Sequence, residues 1–183
     1  MKLSYILLFL SIASNILHAS QEQFIIRQLN YSDEQEIKQV CDIFKDEEIR
    51  EKTNYKSSTA MLYTILTNHR ATSKILIAQT YENPAQICGI LEFDQRRKDK
   101  KAYLMTLAVK EEFRRRGIAS ALISDFEQNR IEPFVESIII RPTEDYIYNN
   151  RPAMALFRKH NYQSSFWFGI SKVIDYPEHS KTD

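Results

Sequence analysis

The chain has 183 residues, 43% of them hydrophobic and 27% charged, with a formal net charge of +1. These values are ordinary for one soluble domain whose core is large enough to fold without disulfides or metals. A net charge near zero gives no general attraction to nucleic acid, so no nucleic-acid partner is expected. The only cysteines, Cys41 and Cys88, form no Cys-x-x-Cys pair, so no metal site is predicted.

The first twenty residues differ from the rest. Lys2 precedes an apolar run at 3–13 and a small, polar stretch at 14–20, which is typical of a secretory signal peptide. We therefore expect a signal peptide at 1–20, a domain at 21–183, and a secreted or periplasmic protein with no stable membrane span after signal removal. The alternatives are a retained anchor or, without processing, a cytoplasmic protein. Export would permit a Cys41–Cys88 disulfide, although two buried thiols are the simpler expectation.

The remaining chain predicts alternating strands and helices. Strands are expected at about 24–29, 74–80, 87–94, 103–109, 137–141, from 162 and at 166–174, and helices at about 33–45, 58–66, 117–126 and 152–160. The second and third strands read as a hairpin, and the charged stretch 95–101 as a connection. This order indicates a mixed α+β (α/β) fold, with about seven strands and about four helices.

The spacing of apolar residues changes halfway along the stretch 103–126. An apolar run at 103–109 suits a buried strand, a charged segment follows, and from Gly117 the apolar residues lie on one helix face. A helix start offers backbone N–H groups and the positive end of the helix dipole. Gly117 has no side chain, and Ala119 and Ser120 are small, so a phosphate or pyrophosphate could approach this backbone.

Arg114, Gly117 and Ala119 fit the pattern Gln/Arg-x-x-Gly-x-Gly/Ala. This resembles the acetyl-CoA-binding motif of the GNAT superfamily of N-acetyltransferases. The segment 150–162 is similar to a second family segment, Asn-x-x-Ala-x-x-Leu-Tyr-x-Lys-x-Gly-Phe, with Phe157 in place of Tyr and Asn161 in place of Gly. The resemblance extends over residues 24–174 and implies a GNAT-like fold with a central, twisted, mostly antiparallel sheet.

The resemblance also implies the reaction and its partners. Acetyl-CoA would be the co-substrate, without a metal, and a primary amine of a small molecule or protein would be the acceptor; a homodimer is possible. Backbone groups of the fourth strand would hold the pantetheine arm and the thioester oxygen, and those of 115–120 the pyrophosphate, with Arg114 and Arg116 adding contacts to phosphate. The cofactor-binding residues expected from the resemblance are Leu107, Ala108, Val109, Arg114, Arg115, Arg116, Gly117, Ile118, Ala119, Ser120, Asn150 and Phe157.

The catalytic residues are less directly indicated. The acceptor amine must lose a proton to attack, so a base is needed; Glu92, between Leu91 and Phe93, is the first candidate. Its alternative is an exposed strand carboxylate. Phe157 cannot supply the proton that the family's Tyr gives the departing thiolate. Tyr146 and Tyr148 are the candidate replacements, with Tyr148 preferred and with loop packing or acceptor contact as the alternative for both. No Ser–His–Asp spacing is evident, and His160 reads as a helix-end residue.

Two functional readings therefore remain. The leading one is an acetyl-CoA-dependent N-acetyltransferase. The alternative is an exported GNAT-fold module that binds CoA or a protein without transferring an acetyl group. Phe157 and the predicted signal peptide favour the alternative, because acetyl-CoA is normally scarce outside the cytoplasm.

Overall fold

The structure, a computed structural model, describes residues 24–47, 49, 57, 59–60, 73–140, 150–165 and 169–174. The described helices are α1 (Glu34–Ile43), α2 (Ile118–Asp125) and α3 (Arg151–Lys159). The strands are β1 (Phe24–Gln28), β2 (Ser73–Thr80), β3 (Ile87–Arg96), β4 (Lys101–Val109), β5 (Ser137–Ile140), β6 (Gln163–Ser165) and β7 (Gly169–Val173). The predicted signal peptide and, apart from residues 59 and 60, the predicted helix at 58–66 lie outside the described residues.

The seven strands form one sheet in the order β1-β2-β3-β4-β5-β7-β6. The pair β4–β5 is parallel and the other five are antiparallel, which confirms the mixed, mostly antiparallel sheet. The predicted β2–β3 hairpin is present. The charged connection is shorter than expected, at 97–100, because Arg96 and Lys101 still pair across the β3–β4 ladder.

Helix α1 covers one face of the sheet. Asp33 caps it by accepting hydrogen bonds from the backbone N–H groups of Gln35 and Glu36 at 2.9 and 3.1 Å, which satisfies two donors that a helix start leaves unpaired. Its apolar stripe packs on the strand residues of that face. This first core contains Ile37, Val40, Cys41, Ile43, Phe44, Ile75, Ile77, Ile87, Ile90 and Ala108.

Helices α2 and α3 cover the opposite face. The second core contains Leu76, Cys88, Leu91, Phe93, Leu104, Leu122, Ile123, Phe126 and Phe157. Gly89 lets the start of α2 approach β3, since a Cβ there would lie only 3.1 Å from Ile118 Cγ2. Cys41 and Cys88 belong to different cores and are buried free thiols, in line with the simpler expectation.

Candidate active site

Strands β4 and β5 are paired along the first half of β4. They pair in parallel from Lys101–Ser137 to Leu104–Ile140. Within the described residues, which resume at 150 after Ile140, β4 continues to Val109 without a further partner on that side. Just beyond the last β4–β5 pair the β3–β4 register shifts: Leu104 pairs with Phe93 and Thr106 with Glu92, so Met105 bulges from the ladder. A strand edge of this kind can bind an extended ligand through its backbone groups. The candidate residues Leu107, Ala108 and Val109 lie on this edge.

A tight loop leads from the end of β4 into α2. A short 3₁₀ turn at Glu111–Phe113 is followed by two residues with left-handed backbone, Arg115 (φ 62°) and Gly117 (φ 84°). Gly117 is the N-cap of α2 and provides no side-chain hydrogen bond to the helix start. A Cβ on Gly117 would meet no atom within 4 Å. The space at the Gly117 Cβ position, beside the start of α2, is therefore open.

Two of the three loop arginines make contacts within the chain. Arg114 donates from Nε to the Val109 carbonyl oxygen at 3.1 Å and from Nη2 to Asp46 Oδ2 at 3.1 Å. Arg116 donates to the Glu112 carbonyl oxygen at 2.6 Å, with its guanidinium 5.2 Å from the centroid of the Phe113 ring. Arg115 is exposed. Arg114 thus fixes the loop to the end of β4, in addition to any contact with phosphate.

Glu92 lies on the face that carries α1, one register pair from the bulge. Its side chain is buried, with 2% of the residue exposed, so it is not an exposed strand carboxylate. Ser73 Oγ donates to Glu92 Oε1 at 3.1 Å and Thr106 Oγ1 donates to Oε2 at 3.0 Å. Hydroxyl donors from both neighbouring strands therefore hold the carboxylate in one orientation.

A second buried carboxylate follows two residues along β3. Asp94 Oδ2 accepts a hydrogen bond from Arg96 Nε at 2.7 Å, and its other oxygen is buried without a hydrogen-bond partner in the described chain. Across the ladder, the Tyr103 hydroxyl donates to Asp99 Oδ2 at 2.6 Å. That hydrogen bond lowers the pKa of the Asp99 carboxyl below its usual value. This end of the sheet face is polar, in contrast to the apolar half beneath α1.

The two asparagines of the segment 150–162 lie at the two ends of α3. Asn150 Oδ1 accepts a hydrogen bond from the Ala153 backbone N–H at 3.1 Å, so Asn150 is the N-cap of α3. Asn161 adopts a left-handed conformation (φ 63°), and the Tyr162 N–H donates to the Phe157 carbonyl oxygen at 3.0 Å. This is the Schellman ending of a helix, in which Asn is a common substitute for Gly. The family's Gly is therefore replaced here by a residue that serves the same conformation.

Phe157 is a core residue in this structure. It is buried, and its ring packs edge-on against Tyr162 with centroids 5.7 Å apart. The phenylalanine ring has no proton to give a leaving group. Tyr148, the candidate replacement acid, lies outside the described residues.

A contact between Ser120 and His160 could not be predicted from the sequence. His160 is the C-cap of α3, as a helix-end residue should be, but its Nε2 lies 2.8 Å from Ser120 Oγ at the start of α2. The two residues are 40 positions apart, so no motif spacing could reveal the pair. Only the packing of α3 against α2 brings it about.

Within the described residues, no group of His, Cys, Asp or Glu side chains is arranged to hold a metal ion. No described helix is long and apolar enough to cross a membrane.

Comparison with known proteins identifies the family to which this fold belongs. A family model described as acetyltransferase (GNAT) domain matches residues 71–164, just over half of the chain. The chain therefore belongs to the GNAT acetyltransferase family. A search of curated proteins finds no match.

Solved structures share the fold at low sequence identity. A GNAT-family acetyltransferase from Staphylococcus aureus Mu50 is 15% identical with a TM-score of 0.62, covering 84% of this chain and 100% of its own. The PaiA N-acetyltransferase of Thermoplasma acidophilum, solved with coenzyme A, is 17% identical with a TM-score of 0.59, covering 84% and 99%. Diaminobutyrate acetyltransferase from Paenibacillus lautus, solved with L-2,4-diaminobutyric acid and coenzyme A, is 16% identical with a TM-score of 0.56, covering 79% and 80%.

Proposed function

We propose that this protein is an acetyl-CoA-dependent N-acetyltransferase that acts on a primary amine of a small molecule or a protein. The observation that carries the proposal is the glycine at the start of α2 beside the edge of β4 that has no strand partner beyond Leu104 among the described residues. Gly117 keeps a side chain away from the helix start, and the described pairing of β5 with β4 ends at Leu104–Ile140. A pyrophosphate can accept hydrogen bonds from the backbone N–H groups at the helix start. An extended pantetheine arm can form hydrogen bonds with the backbone groups along the strand edge.

The cofactor would lie along this surface. Backbone N–H groups from 115–120 would hold the pyrophosphate, and the edge of β4 at 107–109 would hold the pantetheine arm. Coenzyme A bound to the PaiA and diaminobutyrate acetyltransferase structures supports the same cofactor here. The thioester would then lie near the bulge at Met105, where a backbone N–H can stabilise the developing oxyanion.

Glu92 is the proposed general base. The amine nitrogen attacks the thioester carbonyl carbon, its proton passes to the Glu92 carboxylate directly or through water, and the carbon–sulfur bond breaks. The CoA thiolate leaves and takes a proton from water or from a phenol such as Tyr148. The hydrogen bonds from Ser73 and Thr106 support this role, because a base must be held in one geometry to act.

Binding and turnover are tested separately. Calorimetry with CoA is expected to show one site per chain, and a panel of primary amines is expected to release free thiol from acetyl-CoA in an amine-dependent way. Tight CoA binding without release of free thiol in the presence of any amine would favour the CoA-binding module instead. That alternative is specific to this chain because the buried Phe157 replaces the Tyr that gives the departing thiolate its proton in the family. Absence of CoA binding would contradict both functions.

We also propose that residues 1–20 direct export and are removed. The support is the order of basic, apolar and small polar segments in the sequence. N-terminal sequencing of the protein from its native source is expected to begin near residue 21, outside the cytoplasm. A cytoplasmic chain that still begins at Met1 would contradict export and would place the enzyme where acetyl-CoA is abundant.

A further inference from the structure

A polar cluster lies directly behind the proposed phosphate-binding loop. Ser120 is the third residue of α2, and its Oγ lies 2.8 Å from Nε2 of His160. On the far side of the ring, Nδ1 lies 3.8 Å from Glu127 Oε2, an oxygen that Lys172 Nζ approaches at 3.0 Å. The loop is thus connected through one hydroxyl to an ionisable group beneath it.

The surroundings of His160 determine its charge. The pKa of His160 lies below its ordinary value, mainly because burial disfavours the imidazolium, and Lys172 and Lys159 lower it further while Glu127 opposes them. Tyr162, beside the same carboxylate, has its pKa raised by burial and by Glu127 and stays neutral. The ring is therefore neutral near pH 7 in the unliganded protein.

The protonation of the ring fixes the direction of the Ser120 hydroxyl. The Glu127 carboxylate beyond Nδ1 favours a proton on that nitrogen, which leaves Nε2 of the neutral ring as an acceptor. Ser120 then donates its hydrogen to His160 and presents only lone pairs to the loop. When the ring gains a second proton, Nε2–H donates to Ser120 Oγ, and the hydroxyl hydrogen can point at an anion in front of α2.

We propose that His160 is a positioning residue that turns the Ser120 hydroxyl towards the cofactor's phosphates, so that cofactor binding and protonation of the ring are coupled. The inference rests on the proposed function, because it takes the loop to bind CoA. The anion favours the hydroxyl orientation that requires the protonated ring. Bound CoA therefore increases the proton affinity of His160 by some factor. By linkage, protonation of His160 must increase the affinity for CoA by that same factor.

The sign of the pH dependence follows. Because the bound state has the higher His160 pKa, CoA binding takes up a proton at pH values between the free and bound pKa values. The affinity should rise as the pH falls through that interval, by at most about tenfold per pH unit for one coupled proton. Above the bound-state pKa the ring is neutral in both states and the dependence disappears.

Calorimetry of the full chain with CoA, in pairs of buffers with different ionisation enthalpies, measures this proton uptake without any mutation. The 3′-phosphate of CoA also titrates near pH 6, so dephospho-CoA is titrated in parallel. His160→Asn, which cannot titrate, and Ser120→Ala, which removes the hydroxyl, are compared with Ser124→Ala one turn further along α2. Thermal unfolding shows whether each variant is folded.

With dephospho-CoA, which lacks the titrating 3′-phosphate, we expect a fraction of a proton to be taken up by the parent and by Ser124→Ala, and none by His160→Asn or Ser120→Ala. The pH dependence of the affinity should flatten in those two variants. Binding by the parent with no proton uptake overturns the coupling and leaves the proposed function intact. Uptake that persists in Ser120→Ala overturns the role of the hydroxyl, since His160 would then sense the phosphates directly. No CoA binding by the parent overturns both proposals.

Discussion

Gly117→Val is expected to lower the affinity for CoA on the order of 100-fold or more while leaving the protein folded. The valine side chain would occupy the space beside the start of α2, where a Cβ added at position 117 meets no protein atom within 4 Å. Loss of two charge-assisted hydrogen bonds, at ~1.5–3 kcal/mol each, gives a change of this size. The strain of a side chain at φ 84° is about 1–2 kcal/mol, less than a typical folding stability.

Calorimetry with CoA and thermal unfolding together check this prediction. Gly117→Asn is the matched control for strain, because Asn tolerates the left-handed region yet still places a side chain over the loop. We expect Gly117→Asn to keep nearly the parent's stability and still to bind CoA weakly. Parent-like CoA affinity in Gly117→Val would show that the phosphates do not lie at this helix start.

Glu92→Gln is expected to lower kcat by a factor on the order of 10²–10⁴ without changing the affinity for CoA. Glutamine has nearly the same shape as glutamate, and the hydroxyls of Ser73 and Thr106 can rotate to suit the amide. The buried contacts are therefore kept while the basic group is lost. Steady-state kinetics at saturating acetyl-CoA, with calorimetry for CoA binding, separate the two effects.

The neighbouring carboxylate provides the control for Glu92. Asp94 is buried on the same face of β3, two residues further along, so Asp94→Asn tests whether loss of any buried negative charge slows the reaction. We expect a much smaller loss of kcat in Asp94→Asn. Parent-like turnover in Glu92→Gln with a large loss in Asp94→Asn would assign the base to Asp94 instead.

Local sequence patterns were sufficient to predict the strand and the helix on either side of the proposed cofactor loop. The change of period at Gly117 marks the strand–loop–helix unit because buried strands and amphipathic helices have different apolar spacings. The structure begins α2 at this boundary, with Gly117 as the N-cap. These features depend on near neighbours in the chain, so they can be recognised without the tertiary structure.

Features that depend on packing could not be read in this way. The contacts of Arg114 with Val109 and Asp46 turn a presumed phosphate ligand towards the protein, and Asp46 is remote in sequence. The bulge at Met105 depends on the register with β3. The resemblance grouped Phe157 with cofactor-binding residues, whereas the structure places its ring in the core against Tyr162.

Mass spectrometry of the products formed from acetyl-CoA and a panel of primary amines tests the central claim most directly. The account predicts an amine that gains one acetyl group in the presence of the parent protein, and much less of it with Glu92→Gln or Gly117→Val. A parent protein that binds acetyl-CoA yet leaves every amine unmodified would contradict the claim of acetyl transfer.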